Sequence, residues 1–109
     1  MFRFISIIVV FANIIYSQVR LAEVSGTVFL SDQTNDHSGV KIKFESVSSS
    51  GTTDSTISNI DGSYSIGLND GIYVINYSKS GYIPYTIPGS FSYAGGSYLL
   101  DDITLNAGQ

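Results

Sequence analysis

Residues 40–45 run Val40-Lys41-Ile42-Lys43-Phe44-Glu45, so that apolar and charged side chains alternate. Successive side chains of a β-strand point to opposite faces of the sheet, and this pattern is therefore typical of a strand with one face in a core and the other in water. We predict a half-buried strand here, with both lysines pointing away from the core.

The same period of two residues continues along the rest of the chain. Two weaker segments, residues 52–58 and 82–87, carry polar residues or a proline, which is typical of strands at sheet edges. No stretch after residue 18 has the 3.6-residue period of an amphipathic helix. The clear alternating segments outside 40–45 are residues 24–30, 64–68, 73–77 and 103–105.

Turn residues separate these segments. Asp61-Gly62 and Asp70-Gly71 each lie between two predicted strands, and the Asp-Gly pair supplies the positive φ angles of tight turns. Loops rich in Ser and Gly separate others, and residues 88–96 form the longest irregular stretch. Seven short strands at roughly 8–12-residue spacing predict an all-β domain, a seven-stranded β-sandwich of two sheets.

The first 17 residues have the three parts of a secretory signal peptide. A positive charge at Arg3 precedes an apolar run over residues 4–15, and the small Ser17 follows. A membrane anchor is the alternative, but a spanning helix needs about 20 apolar residues, and two polar residues interrupt this run. We therefore predict a signal peptide over residues 1–17 and one domain over residues 18–109, which is secreted or exported to the cell envelope.

Charge and cysteine content narrow the choice of partners. The 109-residue chain has 5 basic and 9 acidic residues and no cysteine. Phosphate backbones and anionic membranes require clustered Lys and Arg, so we expect neither nucleic-acid binding nor membrane insertion after the leader is removed. Without disulfides, stability must come from the apolar core and the backbone hydrogen bonds.

Five segments along the chain resemble one known family in their order and spacing. They are residues 24–28 (VSGTV), 38–42 (SGVKI), 59–66 (NIDGSYSI), 71–82 (GIYVINYSKSGY) and 102–105 (DITL). Together they are similar to the carboxypeptidase regulatory-like domains, which are prealbumin-like (transthyretin-like) β-sandwiches. The resemblance implies a Greek-key sandwich of the immunoglobulin-like class. It also implies an accessory role, since such domains follow zinc carboxypeptidases, precede outer-membrane receptor barrels or occur in adhesins.

Individual residues of these segments have expected structural roles. Gly26 should face inward, where a side chain would collide with the opposite sheet. Tyr73 should bury its ring while its hydroxyl reaches a polar group at the rim. Ser58 and Asn59 stand where the family usually has a threonine and an aspartate, which weakens any cation-binding interpretation.

The residues needed for catalysis or metal binding are scarce. Zinc sites and serine triads use histidines or cysteines, and His37 is the one histidine of the chain. It lies in a polar turn, and we interpret it as a solvated loop residue rather than a catalytic base. A calcium loop at Asn59, Asp61 and Ser63 lacks the closing glutamate of an EF-hand, so a plain hairpin turn is favoured. We predict no enzyme activity, no cofactor and no metal.

Aromatic residues are concentrated near the end of the chain. Exposed aromatic rings can stack on sugars, and the candidate carbohydrate-stacking residues are Tyr82, Tyr85, Phe91, Tyr93 and Tyr98. The alternative is that these rings close one end of the sandwich and pack in the core.

The sequence as a whole favours a non-catalytic, secreted structural, adhesive or accessory module. The alternatives are a carbohydrate-binding module and an accessory domain of a carboxypeptidase or an outer-membrane receptor. Its expected partner is a polysaccharide or another envelope or secreted protein, and we expect the domain itself to be a monomer.

Overall fold

A computed structural model describes residues 21–47 and 52–108. The predicted leader over residues 1–17 and the predicted turn over residues 48–51 lie outside the described residues. None of the described residues forms a helix, and hence none forms one long and apolar enough to cross a membrane.

The described residues form nine β-strands. They are β1 (Leu21–Leu30), β2 (Lys41–Ser46), β3 (Thr53–Ile57), β4 (Ser63–Asn69), β5 (Gly71–Ser78), β6 (Tyr85–Thr86), β7 (Phe91–Tyr93), β8 (Ser97–Leu99) and β9 (Ile103–Leu105).

These strands form two sheets that enclose one apolar core. In the first sheet, β1 lies between β4 on one side and both β8 and β9 on the other. In the second sheet the order is β3-β2-β5, and both β6 and β7 pair with β5 on its free side. The nine strands therefore occupy seven positions, because residues 87–90 and 100–102 each interrupt one edge. The described residues form an all-β sandwich of two sheets.

The alternation read from the sequence matches the burial of the strands. In β2, Ile42 and Phe44 are fully buried, whereas Lys41 is exposed and Lys43 half-buried. The predicted edge strands are confirmed, since β3 and β6 lie at opposite edges of the second sheet. The buried apolar residues are Ala22, Val24, Val28, Leu30, Val40, Ile42, Phe44, Tyr64, Leu68, Tyr73, Ile75, Tyr77, Tyr93 and Leu105.

The end of the chain is more regular than its composition suggests. We expected residues 88–96 to be irregular, but Phe91–Tyr93 forms β7, with Phe91 opposite Tyr73 of β5. Conversely, the strand expected over residues 82–87 is reduced to two residues. Pro84 and Pro88 flank it, and proline removes a backbone donor from a ladder.

Gly26 faces inward as predicted, but its neighbour differs from the one expected. Gly26 lies opposite Tyr64 of β4, in its own sheet, and a Cβ at position 26 would overlap the Tyr64 hydroxyl and ring. Position 26 therefore requires a glycine because of the Tyr64 ring on the adjacent strand, and not because of the opposite sheet. That ring extends across the glycine toward the second sheet.

Tyr73, which was expected to bury its ring at the rim of the core, is buried, and so is Tyr64 of β4. The hydroxyl of Tyr73 donates a hydrogen bond to the carbonyl of Asn69 at 2.8 Å, as the sequence predicted. Burial raises the pKa of Tyr73 and Tyr64, because the phenolate form is poorly solvated inside the sandwich.

The first strand pairs in parallel with the last two. Glu23–Ser25 align with β8, and Val28–Leu30 align with β9. The two ends of the described domain thus belong to neighbouring strands of one sheet.

Candidate functional site

One side of the sandwich is open as a cleft between the two interrupted sheet edges. Strands β6 and β7 of the second sheet lie on one bank, and β8 and β9 of the first sheet lie on the other. The cleft has a volume of about 560 Å³. Its lining residues are Tyr85, Ile87, Phe91, Tyr93, Ser97, Tyr98, Leu99, Leu100, Asp101 and Ile103.

Backbone contacts join the two banks beyond the ends of these strands. At one end, residues 94–96 cross from β7 to β8, and the Gly95 N–H donates to the Asp70 carboxylate at 2.9 Å. At the other end, Tyr82 forms a β-bridge with Ala107, and the Ile83 N–H donates to the Asn106 carbonyl at 2.9 Å. The cleft is therefore framed by hydrogen-bonded backbone, which holds its banks in place.

Four of the five predicted aromatic residues line this cleft. They come together from three different strands: Tyr85 from β6, Phe91 and Tyr93 from β7, and Tyr98 from β8. Tyr82 is not part of the lining. Its hydroxyl instead donates to Asp32 at 2.5 Å, and this hydrogen bond raises the pKa of Tyr82.

Tyr93 forms the inner wall of the cleft and is only 4% exposed. Its ring is stacked with Phe91 at a centroid distance of 6.5 Å and lies 4.6 Å from the ring of Tyr98. Burial raises the pKa of Tyr93 to about 12. Tyr93 does not offer the exposed ring that was expected for a sugar, because its side chain is buried. Its role is to support the other rings.

The rim of the cleft is apolar and exposed to solvent. Leu99 is 81% exposed and Tyr85 is 40% exposed. Asp101 adds a carboxylate to the lining, and the adjacent Asp102 is also exposed. An apolar rim above an apolar cleft is a feature that marks binding surfaces on soluble proteins.

Sequence reasoning missed the aliphatic half of this site. Alternation identified Ile103 as part of a strand but did not reveal the role of Leu99 and Leu100, which precede the interruption between β8 and β9. The available signal was the pair of leucines followed directly by two aspartates. Such a pair breaks the period of two and places one leucine outside the core.

His37 has a structural role and is not the solvated loop residue that we expected. Its Nδ1 accepts a hydrogen bond from the Leu30 N–H at 2.8 Å, and its ring packs edge-on against Phe29 at 5.2 Å. The backbone N–H of His37 donates to the Ile60 carbonyl at 2.8 Å. The imidazole thus holds residues 31–39 against the end of β1.

The buried Ser58 connects the same loop to β2. Its hydroxyl donates to the His37 carbonyl at 2.8 Å and accepts from the Val40 N–H at 3.0 Å. The buried Ser58 hydroxyl therefore has both a donor and an acceptor partner, as buried polar groups require.

The residues considered for calcium form a turn held by internal hydrogen bonds. The Asp61 carboxylate accepts from the Ser63 hydroxyl at 2.6 Å and from the Ser63 N–H at 3.0 Å, which lowers the pKa of Asp61. The Gly62 N–H donates to the Asn59 carbonyl at 2.9 Å. In the part of the chain that the structure describes, no group of three or more His, Cys, Asp or Glu residues is placed to hold a metal ion.

No protein-family model matches the chain, and no curated protein matches it. Among solved structures, a chain of a type II cohesin–X-dockerin complex from Acetivibrio cellulolyticus, an N-terminal interface mutant, is similar. It is 23% identical with a TM-score of 0.62, over 80% of this chain and 58% of that chain. The TIE protein of Bacillus anthracis is 14% identical with a TM-score of 0.59, over 80% of this chain and 17% of that one. The chain thus spans less than two thirds of either protein. At these identities the likeness shows a β-sandwich fold alone.

Proposed function

We propose that this chain is an exported, non-catalytic β-sandwich module that binds another envelope or secreted protein through the cleft. The observation that carries the proposal is the exposed leucine at the rim, Leu99, above a cleft lined by aromatic and aliphatic side chains. A leader over residues 1–17 directs the export, and residues 18–109 form the functional domain.

The chemistry of the lining supports a protein partner more strongly than a sugar. Ser97 and Asp101 are the two lining residues with neither an apolar nor an aromatic side chain. Sites that recognise sugars need several hydrogen-bonding groups, whereas protein interfaces bury aromatic and aliphatic side chains at their centre. A partner that inserts an apolar side chain between Tyr85 and Leu99 satisfies this lining.

The fold supports an accessory role of the carboxypeptidase regulatory-like kind. Seven strand positions in two sheets and the turn at Asp61-Gly62 agree with the prealbumin-like arrangement that the sequence resembles. The cohesin–X-dockerin neighbour is, by its name, a complex of protein modules. Its similarity adds support for a module that acts by binding and without chemistry of its own.

Site-specific photocross-linking in the producing cell tests the proposal. We would place p-benzoylphenylalanine at position 99 and, as a matched control, at position 60, since Ile60 is also strongly exposed at 65% but lies outside the cleft. We expect a discrete adduct from position 99 alone, identified by mass spectrometry and reconstituted from purified components. No adduct at position 99, or equal labelling at both positions, rejects the cleft as a protein-binding surface.

Carbohydrate binding is the second candidate, because Tyr85, Phe91 and Tyr98 share the cleft with the carboxylate of Asp101. Aromatic faces beside a hydrogen-bonding group favour sugar binding, although this lining offers few such groups. Native gel electrophoresis in soluble polysaccharides tests this idea. If it is correct, Tyr85→Ala abolishes retardation while the exposed control Ile83→Ala retains it; equal migration of wild type and Tyr85→Ala rejects it.

A further inference from the structure

The two sheets have four edges, and three of these carry features that block pairing with a further strand. Strand β3 carries Asp54 opposite Phe44, at a position that alternates toward the core. Strand β6 is two residues long and is flanked by prolines. Strands β8 and β9 are interrupted by a segment that contains Asp101 and Asp102. Charges on the inward face, prolines and interruptions are the usual protections of an exposed edge.

The fourth edge, β4, has none of these protections. Its seven residues, Ser63–Asn69, contain no charged residue and no proline, and all seven pair with β1 in unbroken register. Among the described strands, β4 pairs with β1 alone. Ser65 and Gly67 are exposed, and Ile66 is half-buried although it alternates toward the core. A long, uncharged and regular edge is a ready template for strand pairing.

Hydrogen-bond alternation shows which backbone groups this edge offers. The Val28 N–H donates to the Gly62 carbonyl at 2.9 Å, so the even-numbered residues of β4 bond toward β1. The N–H and C=O groups of Ser65 and Gly67 therefore point outward. The carbonyls of Ser63 and Asn69 are already engaged, by the Asn59 N–H and the Tyr73 hydroxyl.

We infer that β4 is an interaction surface for a second copy of this chain, paired antiparallel about a twofold axis at Ile66. In this register Ser65 of each copy lies opposite Gly67 of the other copy. These two residue pairs exchange about four backbone hydrogen bonds. The two Ile66 side chains meet at the centre, and Tyr64 meets Leu68 on the same face. The sequence of β4 is self-complementary about Ile66, which favours a second copy over an unrelated strand.

The pairing joins the two first sheets into one continuous sheet and forms a weak dimer. One strand edge buries much less than the 1,200–2,000 Å² typical of stable complexes, and we expect a Kd on the order of 10–100 µM. Asp61 and Asp70 flank the two ends of β4, and in this antiparallel register Asp61 of one copy approaches Asp70 of the other. Their repulsion is screened by salt, so the association strengthens as salt is raised. This dimer differs from the monomer expected from the sequence.

Sedimentation equilibrium between about 10 µM and 1 mM tests the inference. We expect the average mass of the wild type to rise toward that of two chains. Ser65→Pro removes an outward N–H and should weaken association about tenfold or more. Ser55→Pro is the matched control, because Ser55 holds the equivalent outward position on the protected edge β3, and it should leave the dimer intact. A wild type that stays monomeric, or equal loss in both variants, overturns the inference.

A cross-linking variant keeps the inference testable if the proline variants fold poorly. The chain has no cysteine, so Ile66→Cys introduces a single thiol at the twofold axis, where the Cα atoms of a non-hydrogen-bonded pair lie about 4.5 Å apart. Under mild oxidation it should form a covalent dimer at least about tenfold faster than Ser55→Cys. Equal rates in the two variants contradict the inference.

Discussion

The hydroxyl oxygens of Tyr64 and Tyr77 lie 2.7 Å apart inside the sandwich, one from each sheet. Their rings meet edge to face, with centroids 6.1 Å apart. Tyr64 extends this far because Gly26, opposite it on β1, has no side chain in its path. The glycine and the two tyrosines thus act together to connect the sheets through the core.

Gly26→Ala should destabilise the protein by about 1–3 kcal/mol, since its methyl group overlaps the Tyr64 ring and the core must shift. Chemical denaturation measures this as a lower free energy of unfolding. Gly67→Ala is the control in the same sheet, because a Cβ there approaches only the flexible Leu21 side chain, at 3.3 Å. Equal losses in both variants would refute the role given to Gly26.

Two hydroxyl deletions in the core should have different effects. Tyr77→Phe removes the partner of the Tyr64 hydroxyl and should cost about 1–2 kcal/mol. Tyr93→Phe removes a buried hydroxyl with no hydrogen-bond partner among the described residues, and should be neutral or stabilising by up to about 1 kcal/mol. Thermal and denaturant unfolding of both variants measures the difference. A larger loss for Tyr93→Phe would contradict this description of the core.

The buried tyrosines predict a loss of stability in alkali. Burial raises the pKa of Tyr64, Tyr77 and Tyr93, the last to about 12. The unfolded chain therefore releases these protons near pH 10 while the folded chain retains them, so the free energy of unfolding falls as pH rises above 10. Tyrosinate absorbance near 295 nm should increase together with the loss of sheet signal in circular dichroism. Full ionisation of all tyrosines without unfolding would contradict this prediction.

Ser58→Ala should destabilise the protein by about 1–3 kcal/mol, because it leaves the Val40 N–H without the partner it has at 3.0 Å. Ser55→Ala, on the exposed strand β3, should change stability by less than about 0.5 kcal/mol. Hydrogen exchange of the Val40 amide provides a local readout. Unchanged protection of this amide in Ser58→Ala would show that the hydroxyl is dispensable.

The sequence predicted most of the fold because burial enforces alternation wherever one face of a strand meets a core. Ile42 and Phe44 were identifiable in this way, since a slip of one residue would expose both. The pair of Gly26 and Tyr64 was not, because it depends on the register between two strands 38 positions apart along the chain.

The candidate site was predicted only in part. Tyr85, Phe91 and Tyr98 were recognised from their residue type, and the fold brings them together. The exposure of Leu99 and the burial of Tyr93 depend on how the final strands pair with β1 and β5. The role of His37 likewise depends on a loop that folds back onto Leu30. Local composition does not contain these long-range pairings.

The parallel alignment of β1 with β9 has a mechanical consequence. If opposing forces act at Leu21 and Leu105, they load neighbouring strands lengthwise, so the hydrogen bonds of that ladder share the tension and must rupture together. If the force instead pulled the two strands apart from one end of the ladder, their hydrogen bonds would break one at a time. A module with this geometry is suited to transmit tension along a tether without extending.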